Sequence, residues 1–170
     1  MKIHHSLELI VALGIILLVG MGTFLHQQAT KVDTTGNALR VATSGRVETL
    51  DSTTYSSITA SSTIASTIVG LYARDAKGQV VSAISDGQPE ISADQRTYIF
   101  HLRNYHWSNG ERVSAQDFVY AWQKLANPAT KARNASRIDF LKNGAAVRTG
   151  KKPISALGVK ALSQHGLEVR

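Results

Sequence analysis

Between Thr97 and Arg103 the side chains alternate: Tyr98, Phe100 and Leu102 fall on one face of an extended chain, and Thr97, Ile99, His101 and Arg103 fall on the other. That is the two-residue period of a strand with one side turned to a core. The alternation breaks from Asn104 to Gly110, where Asn109-Gly110 supplies the dipeptide that best tolerates positive backbone dihedrals, so a tight turn is predicted. After Ser114 the period lengthens. Phe118, Trp122 and Leu125 recur at four- and three-residue steps with Val119 and Ala126 beside them, giving one apolar stripe on a helix. Ser114 is suited to accept from the amides of the first turn, Asp117 puts negative charge where the helix dipole is positive, and Pro128 blocks continuation past Asn127. The helix is expected to pack on the strand, with Trp107 and Trp122 in core roles on either side of that unit.

Two further short strands are predicted at Leu157–Leu162 and Leu167–Arg170, joined through Ser163–Gly166. The final strand is expected to be uncovered, and such an edge presents unpaired backbone groups to other chains. Ser56 to Ile68 is rich in serine and threonine, yet Ile58, Ala65, Ile68 and Tyr72 fall near one face at helical steps, which predicts a helix with a small-residue surface. At the other end, Leu9 to Leu25 is an almost unbroken apolar run behind Lys2, His4 and His5, followed by a polar stretch from His26 to Asn37. It has the make-up of a signal core or a single membrane span. Residues 1–29 are therefore assigned to a signal or anchor segment and 30–38 to a polar linker.

Composition narrows the chemistry. The formal charge of +7 on 170 residues is spread along the chain rather than gathered in a stripe, so nucleic acid is not an expected partner. Lys131, Arg133 and Arg137 are read as solvated surface. With no cysteine there is no disulfide, thiolate metal site or cysteine nucleophile. The histidines form no helical i, i+4 pair in a foldable region, and neither a metal nor a cofactor is expected. Asp51, Asp94, Asp117 and Asp139 read as caps and turn formers, not as an acid–base pair, and no nucleophile elbow or phosphate loop is present. No enzymatic activity is expected.

The stretch DQRTYIFHLRNYHWSNGERVSAQDFVYAWQKLANP, Asp94 to Pro128, resembles the solute-binding proteins of bacterial ABC importers, family 5, in their oligopeptide-binding branch. Thr49-Leu50-Asp51, Gly70-Leu71-Tyr72 and the segment Gly150 to Val169 match in the same order, so the resemblance spans about Leu39 to Arg170. Ser52 stands where the family usually has proline. The resemblance implies an α/β fold like the class II periplasmic binding proteins, a mixed sheet with flanking helices, and assigns 39–170 to part of the first of two lobes. It implies capture of extended oligopeptides through their backbone, as an added strand, outside the membrane and in partnership with importer permease subunits. Carried over residue by residue, the peptide-contacting positions are Ser56, Ser57, Ile58 and Asn134. The family's oligopeptide binders carry an acidic residue and a tyrosine where this chain has Ser56 and Asn134. Leu18-Val19-Gly20-Met21 resembles the family's lipobox with Met21 in place of the acylated cysteine, so the expected location is the outer face of the cell membrane without lipidation, anchored through the N-terminal helix or secreted. With a lobe absent, little or no peptide affinity is expected of this chain alone. The alternatives are a membrane-anchored interaction or structural protein, or a receptor fragment for signalling peptides, without transport activity.

Overall fold

The computed structural model describes residues 41–170, and its first regular element is α1 (Ile58–Thr67). Ser57 caps α1 by accepting from the Ala60 amide at 3.1 Å. The helix was expected, but its buried face differs: Ala60 and Ile64 are buried, whereas Ile58 is 86% exposed and Ala65 and Ile68 are also exposed. The helical count fails because Ile68 is already extended and Tyr72 belongs to a strand. Threonine and serine hydroxyls fold back onto α1's own carbonyls, as Thr63 does to Thr59 at 2.9 Å and Ser66 to Thr63 at 2.7 Å.

β1 (Tyr72–Arg74) and β2 (Val80–Ser82) form an antiparallel ribbon. Its turn is built by Asp75, whose Oδ1 accepts from the amides of Lys77 and Gln79 at 2.8 and 2.9 Å, and by Gly78 at φ +77°. The ribbon is tied to the main sheet at Tyr72, whose ring meets Phe100 edge-on with centroids 6.2 Å apart. The Tyr72 hydroxyl donates to the Gly87 carbonyl at 3.0 Å.

β3 (Glu90–Ile91), β4 (Tyr98–His101), β5 (Val159–Ala161) and β6 (Gly166–Val169) make a four-stranded sheet in the order β3-β4-β6-β5. The α/β class is as expected, but every pairing among the described residues is antiparallel, without the mixed directions the resemblance implies. The predicted β5–β6 hairpin forms, with Val159 opposite Val169. Its second strand is not an uncovered edge. β6 pairs with β4 on one side and β5 on the other, and Leu167 at its centre is fully buried.

α2 (Ala115–Ala126) packs on β5 and β6, burying Ala115, Val119 and Ala126, with Phe118, Trp122 and Leu125 half-buried against the same core. Ser114 and Asp117 form a capping box in which Asp117 Oδ2 accepts from the Ser114 amide at 2.7 Å and hydroxyl at 3.0 Å. A short helix, α3 (Gly144–Arg148), closes the core through Val147. Trp122 takes the core role expected of it, but Trp107 is 46% exposed. Trp107 sits in the turn of a small hairpin, its amide bonded to the Glu111 carbonyl at 2.8 Å and Gly110 at φ +88°, which lifts the ring away from the helix–sheet seam.

The compact unit is Thr43–Arg170. The signal or anchor segment and the linker lie outside the described residues, and no helix among those described is long and apolar enough to cross a membrane.

Candidate functional site

The loop that leads into α1 carries Ser56 and Ser57, Ile58 opens the helix itself, and two carboxylates shape the loop. Asp51 builds its first half. The Asp51 backbone carbonyl accepts from the amides of Thr54 and Tyr55, both at 3.2 Å. Asp51 Oδ1 accepts from the Thr53 amide at 2.8 Å and the Thr53 hydroxyl at 2.6 Å. Its other oxygen pairs with Lys124 Nζ on α2 at 2.9 Å, which fastens the loop to the helix that covers the sheet. The Thr53 hydroxyl, then Lys124, hold the Asp51 carboxyl down at about 2, and Lys124 is raised in turn by the same bond.

Glu48 builds the second half. Glu48 Oε1 accepts from the amides of Ser56 and Ser57 at 3.0 and 2.9 Å and from the Ser56 hydroxyl at 3.3 Å, and Oε2 accepts from the Ser57 hydroxyl at 2.6 Å. The Ser57 hydroxyl and the Ser56 amide, in that order, lower the Glu48 carboxyl to about 2. Both serine hydroxyl protons are thus committed to Glu48. What Ser56 and Ser57 can offer a ligand is their oxygen lone pairs, so they act as acceptors.

Asn134 comes from the segment after α2. Asn127 caps a short 3-10 turn, Pro128–Thr130, by accepting from the Ala129 amide at 3.0 Å, and Lys131 turns the chain at φ +52°. Asn134 then opens a second 3-10 turn, Ala135–Ile138, its carbonyl accepting from Arg137 at 3.0 Å. The bidentate pair of Arg148 with Asp139, 2.8 Å at each oxygen, pins this turn to α3.

Ser56, Ser57, Ile58 and Asn134 line one open groove of about 300 Å³, and Tyr55, Ser61, Arg133 and Arg137 complete its wall. A larger hollow of about 740 Å³ lies elsewhere, between the Asp94–Tyr98 loop, Phe140–Lys142 and Val169–Arg170. It contains none of the candidate residues. Sequence reasoning did not find Glu48, Arg133 or Arg137 as parts of this site. Glu48 reaches Ser56 and Ser57 across eight and nine positions, a separation that no helix or strand period marks. The carboxylates read as turn formers do serve that way at Asp51, Asp94 and Asp117, with Asp94 accepting from the Arg96 amide at 3.2 Å. Asp139 serves as an ion-pair partner instead.

Residues 69–170 match the family model described as bacterial extracellular solute-binding proteins, family 5 Middle. The chain is 40% identical over 103 residues to the periplasmic oligopeptide-binding protein OppA of Salmonella typhimurium, covering 59% of this chain and 19% of that protein. It spans about a fifth of the length of the curated relatives it matches. Among solved structures, Listeria monocytogenes OppA bound to peptide superposes with a TM-score of 0.68 at 38% identity, covering 70% of this chain and 24% of that one. The pheromone receptor PrgZ superposes with a TM-score of 0.70 at 34% identity, covering 73% and 25%.

Proposed function

Because the chain belongs to the bacterial extracellular solute-binding proteins of family 5, we propose that it serves as a substrate-binding component of an ABC-type oligopeptide importer, capturing extended peptides outside the membrane. The observation that carries this reading is the likeness, over 70% of the chain and at 38% identity, to a binding protein solved with its peptide. The chain works by binding rather than by catalysis, hands its peptide to permease subunits, and acts on the outer side of the cell membrane. Retention there, through the apolar N-terminal run or otherwise, belongs to residues outside those described.

The groove at Ser56, Ser57, Ile58 and Asn134 is the peptide contact in this reading. An extended peptide presents alternating N–H and C=O groups along its backbone. The serine oxygens, with their protons committed to Glu48, accept from peptide N–H groups, and the Asn134 amide can both donate and accept. Such contacts ignore side-chain identity and permit broad specificity. The groove is open and leaves most of a bound peptide in water, so affinity for this chain alone is expected to be in the millimolar range.

The test is an NMR titration of the full chain, kept in mild detergent to accommodate its apolar N-terminus, with alanine-rich tetra- and pentapeptides. Amide shifts centred on Ser56, Ser57, Ile58 and Asn134 are expected at millimolar peptide. Shifts clustered elsewhere, or none at all, would overturn the assignment, and micromolar affinity by calorimetry would overturn the picture of an open, one-sided groove. The fit to a pheromone receptor favours one neighbouring reading, capture of signalling peptides rather than nutrient peptides, with the same groove in use.

A further inference from the structure

The groove is lined by two cationic side chains and by no carboxylate. Arg133 and Arg137 line it, both exposed, and neither guanidinium forms an ion pair or hydrogen bond among the described residues. Three other arginines in the unit are paired, Arg148 with Asp139, Arg103 with Asp86 and Arg170 with Glu168, while Arg46, Arg96 and Arg112 have no side-chain partner among the described residues but do not line this groove. The carboxylates that hold the two segments of the groove, Glu48 and Asp139, are both engaged. Glu48 spends its oxygens on four donors from Ser56 and Ser57, and Asp139 is held bidentately by Arg148. Ser61 and Asn134 add side-chain groups in the same wall with no hydrogen-bond partner among the described residues.

We propose that the groove selects peptides that bring a carboxylate to Arg133 and Arg137. This rests on the peptide-capture reading and narrows its substrate class to peptides that place a carboxylate, from an acidic side chain or a free C-terminus, at this groove. The fork of a guanidinium matches a carboxylate with two parallel N–H···O bonds, and two such forks bordering one groove let the anion be shared or shifted as the peptide slides in register. The sites are open to water, so each contact is modest and screened by salt. The carboxylate can be an Asp or Glu side chain or a peptide's own C-terminus, and both present the same chemistry.

The experiment is an NMR titration of the full chain with a matched set of tetrapeptides, acetylated and amidated, carrying Glu, Gln or Lys at one position, with one further alanine peptide whose C-terminus is free. A Glu peptide is expected to bind about fivefold more tightly than its Gln counterpart at low salt, and the Lys peptide more weakly than either. The advantage should shrink in 0.5 M salt, at which the screening length is only about 4 Å, and should disappear in the Arg133→Gln/Arg137→Gln double variant. Both side chains are exposed, so that variant is expected to keep the wild-type spectrum outside the groove. A gain with the free-C-terminus peptide alone assigns the arginines to the terminus, and a gain with Glu alone assigns them to side chains. Equal binding of the Glu, Gln and Lys peptides at the groove, with no gain from a free C-terminus, overturns the charge selection while leaving peptide capture standing. Failure of every peptide to shift the groove amides overturns both.

Discussion

The loop Glu48–Ser57 concentrates its organisation in two carboxylates, and their environments fix how it responds to acid. The Glu48 and Asp51 carboxyls both lie at about 2 in the folded protein, against about 4 for free side chains. A lowered folded value means that the stabilisation is present above the free value and is lost as pH falls through the folded one, so the window lies between about pH 4 and pH 2. Asp51 is about a third exposed, which discounts its pair with Lys124 for solvent screening. Asp51→Asn is therefore expected to lower stability by about 1 kcal/mol at pH 7. Urea denaturation of wild type and variant should show that gap closing toward zero at pH 2. A gap that persists in acid would mean the carboxylate charge is not what holds the loop to α2. Glu48 was invisible in the sequence because its partners are linked to it only by the path of the loop, and no spacing rule predicts where a loop returns.

At the level of single elements, periodicity was a good guide wherever one face alone is buried. The alternation Tyr98, Phe100, Leu102 marked the residues that pack on the core, although Ile99 on the opposite face is half-buried too, and the stripe Phe118, Trp122, Leu125 with Val119 and Ala126 was readable because Gln116, Tyr120 and Ala121 meet water. α1 misled on its face because small residues and self-bonded hydroxyls make its sides nearly equivalent, and the choice fell to tertiary packing at Ala60 and Ile64. The hairpin β5–β6 was readable, but not the neighbour of β6, since pairing across a long connection leaves no local trace. That neighbour decides which substitution is costly. Leu167→Ala, at a position with no exposure in an interior strand, is expected to cost about 3 kcal/mol. Asp117→Ala removes the carboxylate from the α2 capping box and should cost about 1 kcal/mol. Thermal or chemical unfolding of the two variants orders them, and a Leu167→Ala effect no larger than the Asp117→Ala effect would contradict the interior position of β6.

For the molecule as a whole, family membership was legible because the strand, turn and helix from Asp94 to Pro128 carry a distinctive order of residue types. The candidate site positions came only through that resemblance. The groove's geometry could not be read from composition, since Ser56 and Asn134 line it from segments separated by α1, the ribbon, two strands and α2. The described unit should behave as one cooperative body, because β6 and α2 together bind residues from both halves into one core. Tryptophan emission, which reports Trp107 and Trp122 at two depths, and far-ultraviolet circular dichroism are expected to give superimposable urea transitions. A separate early transition of the tryptophan signal would divide the unit.

The strand order β3-β4-β6-β5 also governs when the chain can close. Tyr98 pairs with Val169, so β4 lacks one neighbour until residues roughly 70 positions further on have been made. Until β6 has left the ribosome the sheet cannot be completed, and one edge of β4 waits for a neighbour made long after it.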